Sequence, residues 1–104
     1  VTQGKLVRDR IPQIIRAQGG TVVARRLTDQ EYESALLEKL VKESQELALA
    51  GSRRERLEES ADVYEVLLAI AGKSGFDFAE IEAAAERKRA ARGGFGERIW
   101  LESW

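Results

Sequence analysis

The chain has 104 residues, 43% of them hydrophobic and 34% charged, with a formal net charge of −1. Cysteine and histidine are both absent. Their absence excludes disulfides, thiolate nucleophiles, Cys-type zinc sites and every imidazole role, from general base to metal ligand. The length suits a single domain over residues 1–104 with one core. Nucleic-acid binders are usually basic, and the mixed charge here argues against nucleic acid as a partner. No apolar run approaches the length of a membrane span, and no signal-peptide core follows the start. The expectation is a soluble cytoplasmic protein without a membrane partner. The chain begins at Val1 and contains no methionine, which points to a processed or re-initiated start.

In chain order, residues 1–9 read as an irregular basic arm, with Lys5, Arg8 and Arg10 close together. Asp9 is placed to cap a short helix from Arg10, with Pro12 tolerated in its first turn and Gly19-Gly20 as its stop. Thr21 to Leu27 is short and rich in β-branched residues, which predicts a strand. Thr28-Asp29-Gln30-Glu31 is a capping box that opens a long helix running to about Ala50, with Gly51 as its stop. Ser52-Arg53-Arg54-Glu55 is a second box, opening a helix to about Ala71 that ends at Gly72 or Gly75. Asp77-Phe78-Ala79-Glu80 opens a third, ending at Gly93-Gly94. Arg98 to Glu102 alternates as a second short strand would. The fold class expected is mostly α, an antiparallel helical bundle with short terminal strands. The two-residue link between the long helices makes them antiparallel neighbours.

Advancing about 100° per residue along the first long helix puts Tyr32, Leu36, Leu40, Leu47 and Ala50 on one stripe. Glu43 lies inside that stripe and Glu46 at its edge. On the second long helix Glu59 points between Val66 and Ile70, while Asp62 sits on the rim with Glu58 and Glu65 beyond it. Glu43 and Glu59 therefore take directions that a plain helical hairpin gives to leucine. A buried, unpaired carboxylate costs several kcal/mol, and nearby like charges add to that. Lys39 and Lys42 are local candidates to offset it. A divalent cation would satisfy Glu43, Glu46, Glu59 and Asp62 together, and an oxygen-only donor set suits Mg²⁺ or Mn²⁺. The bland alternative is that each Glu-x-x-Glu or Glu-x-x-Asp is a solvated helix face. Two such pairs on adjacent helices, both intruding on apolar stripes, weigh against it.

The pattern Glu43-x-x-Glu46, a spacer, then Glu59-x-x-Asp62 resembles the MazG-like family of all-α nucleoside triphosphate pyrophosphohydrolases. The resemblance extends to a branch related to phosphoribosyl-ATP pyrophosphohydrolase. That branch typically opens with a stretch like Lys5-Leu6-Val7-Arg8-Asp9-Arg10-Ile11-Pro12 and closes with one like Arg92-Gly93-Gly94-Phe95 followed by Arg98-Ile99. It thus covers nearly the whole chain. It implies a helical core, Mg²⁺ held by the four acids, and hydrolysis of a nucleotide between its α and β phosphates. Monophosphate and pyrophosphate would be the products, and removal of noncanonical nucleotides a role. Family members often carry a further acid just before the first ligand, where this chain has Lys42.

Within that reading Glu46 or Glu65 is the candidate to take a proton from the attacking water. Lys5, Arg8 and Arg10 form one basic group for the phosphates, and Lys88 with Arg92 belongs to another. The second group also sits at a helix C-terminus beside a glycine stop, where cations favour the helix dipole, so both roles stay open for it. Tyr32, Tyr64, Phe76, Phe78 and Phe95 read as core. The apolar excess of the Leu57–Ile70 helix, together with Trp100 and Trp104, predicts a homodimer or homotetramer. Competing functions are phosphoribosyl-ATP pyrophosphohydrolase itself and a non-enzymatic helical regulatory dimer.

Overall fold

Thr28 and Ser52 begin the two helices that organise the molecule, and both do so with their side-chain oxygens. In the computed structural model, which describes residues 4–104, the elements are α1 (Ile11–Ala17), α2 (Asp29–Leu49), α3 (Arg53–Ser74) and α4 (Phe78–Arg92). Thr28 accepts from the Glu31 backbone N–H, and the Glu31 carboxylate accepts in return from the Thr28 N–H. The same reciprocal box joins Asp77 and Glu80 at the start of α4. At α3, Ser52 accepts from Glu55 as expected, but the Glu55 carboxylate reaches past the cap to the Gly51 N–H. Gly75, not Gly72, stops α3, because it takes the left-handed conformation, with φ of 86°, that favours glycine at a helix end.

Asp9 does not cap α1. Arg10 occupies the cap position without a side-chain hydrogen bond, so the first turn relies on Pro12, which has no N–H to satisfy. No strand forms among the described residues. Residues 21–27 and 98–102 have no partner chain to complete a ladder, and an isolated strand leaves its backbone groups to water. In place of a strand, Arg25 turns its guanidinium onto the Glu31 carboxylate with two hydrogen bonds of 2.9 and 3.1 Å. That fork anchors the incoming segment to the first turn of α2.

The connection between α2 and α3 is only Ala50, Gly51 and Ser52, so the helices return antiparallel and pack along their lengths. Among the described residues no other pair of helices makes more than a marginal contact. The apolar core is correspondingly small: Leu36, Ala50, Val66 and Ala71 are buried. Leu40 and Leu47 are half-buried beside them, as the stripe on α2 requires. The other expected core residues diverge. Tyr64, Phe76, Phe78 and Phe95 are exposed, because one helical partner can cover only part of α3 and none of the described residues covers the segment after α4. Tyr64 still meets Phe78 edge-to-face, with ring centroids 5.1 Å apart, and this contact joins the start of α4 to α3. No helix among the described residues is long and apolar enough to cross a membrane.

Two outcomes follow from this arrangement. Leu36→Ala, at a side chain only 3% exposed, should destabilise the hairpin by about 2–5 kcal/mol, read from urea unfolding followed by circular dichroism. The Arg25 guanidinium and the Thr28 N–H lower the Glu31 pKa from 4.5 to about 2. A depressed carboxylate pKa stabilises the fold above its ordinary value and loses that effect as pH falls through the folded value. The stability difference between wild type and Glu31→Gln should therefore be full near neutral pH and vanish only as pH falls below about 2. A difference that persists unchanged below that pH would show that the fork and the cap contribute nothing through charge.

Candidate metal centre

Where α2 and α3 face each other, the first acids of the two sequence motifs meet. Oxygens of Glu43, Glu46 and Glu59 all lie within 4.8 Å of one another. Glu43 is the buried member at 6% exposure. It sits one turn beyond Lys39 on α2, and Lys39 Nζ donates to its Oε1 at 3.1 Å. Such a contact is what an i, i+4 pair on a helix permits. Lys42, the other local candidate, points to solvent and forms no ion pair with the acids. Lys39 engages only one oxygen. Glu43 Oε2 and Glu59 Oε2 are both buried with no hydrogen-bond partner.

The electrostatics follow from this crowding. The Glu59 pKa is raised, first by desolvation and then by the negative charges of Glu46, Asp62 and Glu43. Ionising Glu59 in this pocket therefore opposes folding, and the opposition grows as pH rises above its ordinary range. Buried polar atoms in folded proteins nearly always find partners, so two orphaned carboxylate oxygens in one pocket call for a cation. Three clustered carboxylates with no nitrogen or sulfur donor match the hard-oxygen preference of Mg²⁺ or Mn²⁺. The residues fit that metal, and Glu43, Glu46 and Glu59 are the ones that would hold it.

Asp62 stands apart from the three. It accepts from Arg8 Nη2 at 2.8 Å, and Arg8 Nη1 also lies 3.9 Å from Glu65. Arg8 belongs to the segment before α1, so the basic arm crosses to α3 and rests on the rim of the acidic pocket. The Arg8 pKa is raised by the hydrogen bond to Asp62, with further contributions from the charges of Asp62, Glu65 and Glu43. Lys5 and Arg10 are exposed on the same segment. Lys88 and Arg92 lie in the last turns of α4, which packs only marginally on the hairpin, and neither forms an ion pair among the described residues. The structure thus gathers Glu43, Glu46 and Glu59, sets Asp62, Glu65 and Arg8 around them, and leaves Lys88 and Arg92 on a separate element. Sequence reasoning placed Arg8 with the phosphates and missed its grip on Asp62. The two residues are 54 positions apart, and no local pattern announces such a pair.

An uncharacterized protein of Mycolicibacterium smegmatis is 54% identical to this chain over 54 residues, which make up 52% of the chain and 55% of that protein. The chain thus spans about half the length of the curated relative that it matches. No family model matches the chain, and no solved structure does.

Replacing Glu59 by Gln removes one charge at nearly constant shape. In chelator the variant should melt at the same temperature as wild type or higher, because mutual repulsion falls. Adding Mg²⁺ should raise the wild-type melting temperature, and the rise should shrink in Glu59→Gln, as linkage requires when affinity is lost. Glu33→Gln, at an exposed position on α2, should behave as wild type in both conditions. An equal Mg²⁺-induced shift in all three proteins would mean that the pocket holds no metal.

Proposed function

We propose that this chain is a Mg²⁺- or Mn²⁺-dependent nucleotide pyrophosphohydrolase. It cleaves the α–β phosphoanhydride of a nucleoside triphosphate to monophosphate and pyrophosphate, with noncanonical nucleotides as the substrates to be cleared. The observation that carries the reading is the pair of buried, partnerless oxygens, Glu43 Oε2 and Glu59 Oε2, inside a three-acid cluster. It is supported by the spacing of the acids and by the resemblance of both chain ends to the MazG-like branch. Cytoplasmic residence and a homodimer or homotetramer belong to the same reading.

The bound cation would polarise the phosphate and acidify a water molecule. Glu43, Glu46 and Glu59 would hold the centre, and Lys39 fixes Glu43 by occupying its other oxygen. Asp62 is the fourth acid, kept near the centre by Arg8. Glu65, outside the three-acid cluster and half-exposed at its side chain, is the candidate to accept a proton from the attacking water. Glu46 is the alternative acceptor. Arg8, with Lys5 and Arg10 on the same arm, supplies the positive charge that a polyphosphate leaving group needs. Lys88 and Arg92, near the end of α4, are the second basic group for the same role.

The assembly part of the reading rests on surface. Leu37 and Val41 on α2 and Leu57, Tyr64 and Leu67 on α3 are exposed. A two-helix hairpin with apolar residues on its outer faces is completed by a second hairpin, as in four-helix bundles. The same exposure would suit a non-enzymatic helical regulatory dimer, which predicts no metal dependence and no pyrophosphate release.

A nucleotide screen with Mg²⁺ that follows pyrophosphate separates these outcomes, with phosphoribosyl-ATP included among the substrates. The expected result is stoichiometric monophosphate and pyrophosphate, abolished by chelator. Glu43→Gln should reduce turnover by more than about 10–100-fold, the usual loss for groups that merely support a ligand. Arg8→Ala should lower kcat/KM while helix content is retained. Orthophosphate as product, or full activity in excess chelator, rejects the proposal.

A further inference from the structure

The segment after α4 is the most exposed apolar stretch of the molecule. Trp100 is 86% exposed and Trp104 99%, with Phe95, Ile99 and Leu101 exposed beside them. It leaves α4 through a turn in which the Arg98 N–H donates to the Phe95 carbonyl, and Arg98 takes a left-handed φ of 57°. Such a conformation is unfavourable for a non-glycine residue and usually persists only where surrounding structure holds it. On α4 itself no residue is buried. One face carries an open groove of about 420 Å³ lined by Phe76, Glu80, Ile81, Ala84, Ala85 and Lys88.

Segment and groove match in length and charge. Laid out in extended form beyond Arg98, the segment would put Trp100 and Glu102 on one face, with the left-handed Arg98 at the turn that precedes them. Arg98 and Glu102 are then about 13 Å apart at about 3.3 Å per residue. Glu80 and Lys88, at the two ends of the groove, are separated by about 12 Å of helix. Glu80 uses one carboxylate oxygen in its capping box, which leaves the other for a guanidinium. Direction then decides which copy supplies the segment. If the segment folded back on its own α4 it would run antiparallel, bringing Arg98 to the Lys88 end and Glu102 to the Glu80 end, like charge on like. A segment arriving from another molecule can run parallel to α4, which pairs Arg98 with Glu80 and Glu102 with Lys88.

We propose that two copies of this chain exchange their post-α4 segments, each laying Trp100 into the α4 groove of the other. Exchange in both directions is a closed two-fold arrangement. The surface available is ample. The chain exposes 9518 Å², against about 5,800 Å² for a folded monomer of its mass. That excess is well above the roughly 800 Å² per partner that a stable interface buries. The radius of gyration of 17.7 Å, against about 13 Å for a compact chain of this length, agrees. This inference deepens the assembly part of the functional reading and needs nothing of its chemistry.

The chain has two tryptophans, Trp100 and Trp104, so selectively excited tryptophan emission reports on this segment alone. Wild type should emit at shorter wavelength when concentrated and shift to the red on dilution, in step with dimer dissociation by sedimentation. Ala84→Arg should give red emission at all concentrations while helix content is kept, since α4 has no buried residue to disturb. Lys88→Glu should weaken the dimer several-fold, and Glu102→Lys in the same chain should restore it. A dimer with red, concentration-independent emission would overturn the exchange while leaving assembly through the hairpin faces intact. Blue emission from a sedimentation monomer would overturn it in favour of packing on the chain's own α4. A monomer with red emission at every concentration would reject both the exchange and the assembly reading, and failure of the charge reversal to rescue would reject the exchange.

Discussion

The mutual repulsion of Glu43, Glu46 and Glu59, whose oxygens lie within 4.8 Å of one another, constrains what surrounds them. Two helices cannot bring three carboxylates together and bury one of them without compensating charge, because burial strengthens the repulsion that water would screen. Lys39 supplies part of that compensation from α2, and Arg8 supplies another part from outside the hairpin. Neither reaches Glu43 Oε2 or Glu59 Oε2. The cluster is thus left partly unsatisfied by the described residues.

Arg8 links this electrostatic problem to the rest of the fold. The arm before α1 has few apolar anchors, and its cross-chain tether among the described residues is the ion pair with Asp62 and, more loosely, Glu65. Both partners are largely solvent-exposed at their side chains, so the pair on its own contributes little stability. Its consequence is positional. It holds a guanidinium at the rim of an acidic pocket. The fork of Arg25 on Glu31 does comparable work for the segment that enters α2.

Stability is limited by a shortage of core. Four buried apolar residues on a hairpin supply far less burial than a chain of this length normally gains on folding. The missing burial lies in the outer faces of α2 and α3, in the groove of α4 and in the tryptophans beyond it. Surface of that kind is characteristic of subunits that complete one another. An acidic pocket that destabilises its own hairpin would gain from such completion, since neighbours can lend stability that the cluster itself withholds.

Helix boundaries were legible in the sequence because caps and stops are local. Thr28 with Glu31, Asp77 with Glu80, and the glycines at 75 and 93 act through residues within a turn of themselves. The facing of Glu43 and Glu59 was legible too, since helical period and a short link between the long helices leave few ways to orient them. The strands expected at 21–27 and 98–102 were not correct, because a strand depends on a partner that propensity does not supply. Asp9 as a cap failed for a similar reason: its backbone did not take the cap position, and Arg10 did. Arg8 on Asp62, the isolation of Lys88 and Arg92 on α4, and the exposure of Phe95 were decided only by tertiary structure. Each depends on where segments far apart in sequence come to rest, and that is set by which surfaces are left to bury and which charges are left to pair.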